Sequence, residues 1–327
     1  MRRAPGFWAQ PPGVLSDLLW PAGMCWDAAG RVRRALTRAH HETVPIVCIG
    51  NLIAGGAGKT PVALALASHL AESGTAVHIV TRGYGGRLDG PLRVDPARHD
   101  AAAVGDEALL LAARAPCWIA RDRADGVRAA VAARAQLIVL DDGYQNPTIA
   151  KTMSVVVVDA EYGFGNGRVI PAGPLREGLG RGLARADAVV LLGAEESHRD
   201  AATLRSNPDL PVINAALQPV DGERFAGKRA LAFAGIGRPE KFFATLRRVG
   251  AELVETRCFP DHHAFRSVEI DELLRAAERQ QARPVTTAKD IVRVPAEKRG
   301  AIDVLDVEVR WRDPDALVEL LRSVAGA

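Results

Sequence analysis

Lys59 and Thr60 close the run Ile53-Ala54-Gly55-Gly56-Ala57-Gly58-Lys59-Thr60, which lies between an apolar stretch from residue 45 and an amphipathic stretch ending at 70. A strand, a glycine-rich turn and a helix in that order form a phosphate cradle. Turn amides and the positive end of the helix converge on one anion, and glycine lets the backbone come close to its oxygens. Lys59 is placed to reach the β- and γ-phosphates of a nucleoside triphosphate, and the Thr60 hydroxyl to ligate Mg²⁺. The fit to the common pattern is incomplete. Ile53 stands where a glycine is usual, and Ala54 stands where one variant has lysine.

Carboxylates follow at the ends of other apolar runs. Asp141 and Asp142 end the run QLIVL, where a phosphate-loop enzyme places its Mg²⁺ ligand or base, and Gln145 follows on the same loop. Asp106 in Val104-Gly105-Asp106-Glu107 suits either a helix N-cap or a base that takes a proton from a hydroxyl. His262 and His263 follow Asp261, a ready charge partner. Arg176 and Glu177 close a glycine- and proline-rich loop over 163–178, and the Arg176 guanidinium suits phosphate or transition-state charge. Arg82 in TRGYGG and the segment TTAKD at 286–290 are further polar loop groups.

The elements that must position these groups read as doubly wound α/β. Continuous apolar runs near 75–81, 136–140, 154–159 and 185–193 alternate with helical stretches, the pattern of a parallel sheet covered on both faces. Ligands are expected beyond the carboxyl ends of its strands. The polar segment 195–211 suggests a domain boundary. A smaller α/β unit follows, with strands near 229–236, 251–258 and 284–287. Two alternating stretches, 212–220 and 302–311, can pair as a two-stranded hinge. The expected division is a 1–41 N-terminal segment, a 42–211 phosphate-loop domain, a 212–311 second domain with hinge strands, and a 312–327 C-terminal helix free to pack back on the first domain.

With 327 residues, 48% of them apolar, the chain can bury two cores, and a net charge of +3 gives no reason to expect a nucleic-acid partner. The four cysteines lack metal-ligand spacing and read as reduced, mostly buried thiols. Residues 1–41 carry six arginines against two aspartates, with Trp8, Trp20 and Trp26 among them. Pro11, Pro12, Asp17 and Pro21 interrupt the apolar part, so it is too short to span a bilayer. It suits either a membrane interface or a helix packed on its own domain.

GNLIAGGAGKTP, TRGYGG, VGDE, DDGYQN, GNGRVIPAGPLRE, FPDHHAF and TTAKD occur in one order. With them the chain closely resembles the tetraacyldisaccharide 4′-kinase family of lipid A biosynthesis over nearly its whole length. The resemblance implies two α/β/α domains closing around ATP, a two-stranded hinge and an N-terminal amphipathic helix. It implies transfer of the γ-phosphate to the 4′-hydroxyl of an acylated glucosamine disaccharide 1-phosphate, giving lipid IVA. ATP and Mg²⁺ would be the cofactors, the place of work the cytoplasmic face of the Gram-negative inner membrane, and no protein partner is expected. Asp106 would be the catalytic aspartate, His262 the histidine that orients or tunes it, and Asp141 and Asp142 the acidic pair near Mg²⁺. Arg176 and Glu177 match the loop's Arg-Glu, with Glu177, Gln145 and Arg82 as substrate-binding candidates. One departure is Asn146, where the family often has histidine. A nucleotide-switch ATPase acting on a protein is the competing reading. The missing lysine at Ala54 and the lack of an Asn-Lys-x-Asp motif argue against it.

Overall fold

The structure, a computed structural model, describes residues 5–193, 204 and 207–325. Most of the polar segment expected to mark a boundary, 195–203 with 205 and 206, lies outside the described residues, as do Arg2 and Arg3.

A nine-stranded sheet forms the larger body. Its strands are β1 (Ile46–Gly50), β2 (Val77–Thr81), β3 (Leu92–Arg93), β4 (Cys117–Ile119), β5 (Leu137–Asp141), β6 (Met153–Asp159), β7 (Ala188–Leu192), β8 (Val212–Pro219) and β13 (Val307–Trp311), in spatial order 13-8-7-6-1-5-2-4-3. From β8 to β4 the neighbours are parallel, and short antiparallel partners, β13 and β3, close the two edges. Every residue of β1, β2, β5, β6 and β7 is buried. This is why these strands read as unbroken apolar runs: both faces are covered. Val47, Ile49, Ile79 and Val139 face one layer with Val62 and Leu66. Ile46, Cys48, Ile138 and Leu140 face the other with Val127 and Leu183.

A second, parallel sheet of four strands takes the order β10 (Glu252–Cys258), β9 (Arg229–Ala234), β11 (Arg283–Thr287), β12 (Asp303–Leu305). It too has two apolar faces, one built on Phe243 and Leu246, the other on Phe233, Ile270 and Leu273. The stretch 302–311, which reads as one strand, is two. Asp303–Leu305 pairs in the small sheet and Val307–Trp311 in the large one, so the chain changes sheets at Asp306. The same stretch serves two sheets because its alternation is compatible with either pairing and only the register partner decides. Val307–Trp311 lies antiparallel to Val212–Pro219, and the Val220 amide donates to the Asp306 carbonyl where both chain crossings occur.

The helices are α1 (Val14–Leu36), α2 (Lys59–Glu72), α3 (Ala101–Val104), α4 (Asp106–Ala112), α5 (Arg123–Ala132), α6 (Leu179–Leu183), α7 (Pro239–Arg248), α8 (Ser267–Arg279), α9 (Ala288–Ile291) and α10 (Pro314–Ala325). Leu317, Leu321 and Val324 of α10 join the core layer of the large sheet. α1 runs through Pro21 for 23 residues, so the proline that breaks the apolar stretch does not break the helix. An interior proline costs about 3 kcal/mol, and docking offsets it. Gly23 packs against the Val169 carbonyl, where a Cβ would come within 2.8 Å. Ser16 Oγ donates to the Ala172 carbonyl, and Asp27 accepts from the Gly178 amide. Val14, Leu15, Leu18, Trp20, Met24, Trp26, Val32 and Leu36 are left exposed. One face of α1 is thus packed on its own domain, and the other presents apolar side chains outward. No helix among the described residues is long and apolar enough to cross a membrane. Cys48 and Cys117 are buried, whereas Cys25 and Cys258 are exposed, so only half the thiols follow the expectation of burial.

Candidate active site

The phosphate loop leaves the central strand β1 and enters α2. Gly55 and Gly58 take φ of 125° and 81°, the left-handed region that a side chain resists. Neighbouring loops fix its shape. The Ala54 amide donates to the Pro174 carbonyl, Arg176 Nε to the Ile53 carbonyl, and Asn51 Nδ2 to the Gly55 carbonyl. Gly55 and Gly56 are exposed, and Ala54, Lys59 and Thr60 are half-buried, so the cradle opens beyond the strand ends.

Asp141 and Asp142 reach the same place because β5 pairs directly with β1, Ile49 opposite Asp141. Their environments differ sharply. Asp141 is buried, and its Oδ1 has no hydrogen-bond partner among the described residues. Burial, with help from Glu107 and Asp142, pushes its carboxyl up to about 7. Asp142 sits at φ 55°, with Lys59 Nζ 3.7 Å and Arg176 Nη1 3.4 Å from its Oδ1. Burial raises its carboxyl, but Lys59, Arg176 and Arg123 outweigh that and hold it below the ordinary value. A hard divalent cation takes oxygen donors, commonly one or two carboxylates with the rest from phosphate and water. An unsatisfied buried carboxylate oxygen beside a phosphate cradle and the Thr60 hydroxyl fits such an ion.

Asp106 begins α4, and Gly105 sets it there with φ 89° and the Tyr84 carbonyl where a Cβ would lie, 2.4 Å away. Gly86 packs equally closely on the 103–105 backbone. Gly83 and Gly86 of TRGYGG thus serve the close approach of two loops, and Arg82 itself is exposed beside them. The side chain of Asp106 is 3% exposed, and its Oδ2 lies 2.8 Å from His262 Nδ1, a contact from one domain to the other. Lys289 Nζ meets Glu107 Oε1 at 3.1 Å between the same two domains. Burial would raise the Asp106 carboxyl, but the His262 hydrogen bond and the charges of Lys289, His262 and Arg293 together hold it below the ordinary range.

Other sequence candidates are committed to structure. Glu177 is buried and takes Arg34, Arg185 and Gln145. Gln145 also donates to the Asn51 carbonyl. These two residues join α1 to the phosphate loop. His263 faces Glu269 at 3.0 Å and stacks on Phe259. Asn146 turns its Oδ1 to the amide and hydroxyl of Thr148, which closes a turn. Sequence reading missed Arg293 and Asp159 with its partners Arg238 and Lys241. None sits in a spacing that signals chemistry.

Fold and site together define a phosphate-loop phosphotransferase, with a cradle and acidic pair in one domain and an Asp–His contact bridging to the other. The chain matches the family Tetraacyldisaccharide-1-P 4′-kinase (LpxK) over residues 15–325. It is 57% identical to the tetraacyldisaccharide 4′-kinase of Rhodospirillum centenum, over 98% of this chain and 96% of that one. It is 52% identical to that of Dinoroseobacter shibae with the same coverage. A crystal structure of LpxK from Aquifex aeolicus in complex with ATP shares the fold, with a TM-score of 0.77 at 22% identity over 95% of this chain and 99% of that one. The chain belongs to the tetraacyldisaccharide-1-P 4′-kinase family and is a kinase of lipid A biosynthesis.

Proposed function

We propose that this chain transfers the γ-phosphate of ATP to the 4′-hydroxyl of tetraacyldisaccharide 1-phosphate, giving lipid IVA, on the cytoplasmic face of the Gram-negative inner membrane. The observation that carries the site assignment is the 2.8 Å contact between Asp106 and His262 across the interdomain cleft. In this reading the triphosphate lies on residues 54–60, with Lys59 on the β- and γ-phosphates. Thr60, Asp141 and Asp142 would hold Mg²⁺, which when bound supplies positive charge to the phosphates. Asp106 accepts the proton of the 4′-hydroxyl as that oxygen meets phosphorus in line, and His262 fixes the orientation of the carboxylate. Lys59 and Arg176 offset charge on the transferring group. Closure of the domains, with Asp106 docked on His262, excludes water and limits hydrolysis.

The exposed apolar face of α1 supports the membrane assignment. Eight large apolar side chains exposed on one 23-residue helix, pinned to the protein by its other face, match an interfacial helix lying in the headgroup region. The acyl chains would then stay in the bilayer while the sugar enters the cleft.

The test is transfer of labelled γ-phosphate from ATP to tetraacyldisaccharide 1-phosphate in detergent micelles, with Asp106→Ala alongside. Labelled lipid from wild type and almost none from the variant is the expected result. ATP hydrolysis without labelled lipid would move the chain to the nucleotide-switch reading.

A further inference from the structure

Arg293 follows α9 in the small domain, and its side chain is 4% exposed. Each nitrogen of the guanidinium has a partner. Nη2 lies 2.6 Å from Asp290 Oδ1 and donates to the Gly235 carbonyl at 3.0 Å. Nη1 donates to the His263 carbonyl at 3.3 Å, and Nε to the Lys289 carbonyl at 3.2 Å. Nε also stands 3.5 Å from Asp106 Oδ2 in the other domain, the same oxygen that His262 Nδ1 meets at 2.8 Å.

Three segments of the small domain therefore converge on one cation: the end of β9, the turn carrying His262, and α9. That turn needs holding. His262 sits at φ 59°, an unfavourable conformation for a side-chain-bearing residue, and its amide donates to the Gly235 carbonyl that Arg293 also binds. A planar guanidinium with its donors in fixed directions can order several carbonyls at once, which an ammonium cannot.

We infer that Arg293 is a positioning residue for phosphoryl transfer: it fixes the His262 turn and, with His262, occupies Oδ2 of Asp106, leaving Oδ1 to receive the acceptor's proton. Among the described residues Oδ1 accepts from the Glu107 amide, at 2.9 Å, and keeps a lone pair for a hydroxyl. The inference rests on the reading of Asp106 as the base. Other charged groups around the carboxylate are Glu107 on its own helix, Asp261 and His262 on the turn, and Lys289 and Asp290 on α9. Arg293 differs from these in joining the carboxylate, from outside the turn, to the turn's own backbone.

The test uses full-length enzyme in detergent micelles with ATP and tetraacyldisaccharide 1-phosphate. Arg293→Lys keeps a cation beside Asp290 but loses the fork. The expected result is a normal circular dichroism spectrum, KM for ATP within about threefold, kcat down at least about tenfold, and the acidic limb of the kcat–pH profile displaced to higher pH. Asp290→Asn/Arg293→Gln removes the buried pair together and is expected to do the same. In an Asp106→Asn background, Arg293→Lys is expected to cost nothing further. Wild-type kcat and an unmoved acidic limb in a folded variant would overturn the inference. Failure of both variants to fold, or an equal loss with and without Asp106, would make Arg293 a structural residue only and overturn it too. If wild type makes no labelled lipid or Asp106→Ala retains full turnover, the functional reading fails instead.

Discussion

Lys241 Nζ lies 3.0 Å from Asp159 Oδ2, a further tie between the domains away from Asp106–His262 and Glu107–Lys289, and Arg238 joins it at the start of α7. Asp159 is well buried, and its other oxygen accepts the amides of Glu161 and Tyr162. Arg238 and Lys241 are each more than a third exposed, so solvent screens both pairs to under about 1 kcal/mol each. Arg238→Ala/Lys241→Ala is therefore predicted to loosen closure without touching the chemistry. Small-angle scattering is expected to show a larger radius of gyration, with turnover reduced only severalfold. A loss beyond about a hundredfold would place these residues in the reaction itself.

Lys59→Ala and Asp106→Ala are each predicted to lower turnover at least about a hundredfold, the scale of an electrostatic or general-base contribution. Near-normal turnover in the Asp106 variant removes it from the base role.

The Asp106 carboxyl is held below its ordinary value. The sign follows directly: its ion pairs stabilise the fold above the ordinary carboxylate range, and that contribution is lost as pH falls through the depressed value. In His262→Ala burial has less opposing it, so the acidic limb of kcat is predicted to move to higher pH. An unmoved limb in a pH series would show that another group sets it.

Asp141 is pushed the other way, up to about 7. Its neutral form suits the folded chain, so the fold loses stability as pH rises from the ordinary carboxylate range through about 7. In magnesium-free buffer Asp141→Asn is predicted to melt higher than wild type at pH 8, with the gap closing at pH 5, and to have lost its turnover. Equal melting temperatures at both pH values would show that the carboxylate is not penalised by burial.

Gly105→Ala is predicted to cost about 1–3 kcal/mol for a strained backbone, plus displacement of Asp106, because its φ is 89° and the Tyr84 carbonyl fills the Cβ position. Chemical denaturation measures the first effect and turnover the second. An alanine variant with wild-type values for both would refute the close-packing account.

Val14 and Leu18 are 87% and 75% exposed on α1. Val14→Ser/Leu18→Ser is predicted to weaken sedimentation with anionic phospholipid vesicles while ATP hydrolysis stays near wild type. Unchanged sedimentation would contradict the interfacial role of this face.

The phosphate loop, the parallel strands and the acidic strand end were legible because each is local. A glycine pattern, an apolar run and a terminal carboxylate express short-range physics within a few residues. Asp106 and His262 stood out as candidates, yet no rule of spacing joins two groups 156 positions apart. Only the family resemblance paired them, and the domain packing brings them to 2.8 Å. The switch of 302–311 between two sheets was hidden for the same reason, since strand pairing is decided by a partner distant in the chain. Glu177 and Gln145 looked like ligand groups in a loop, and the fold shows Glu177 buried, Gln145 half-buried, and both hydrogen-bonded between α1 and the end of the strand before the phosphate loop. Arg293 carried no signal at all. Its function as a clamp exists only where β9, the His262 turn and α9 meet. Residue types and local spacing thus determined that this chain binds phosphate, whereas the tertiary fold alone decided which carboxylate is buried, which is paired, and which oxygen is left free to take a proton.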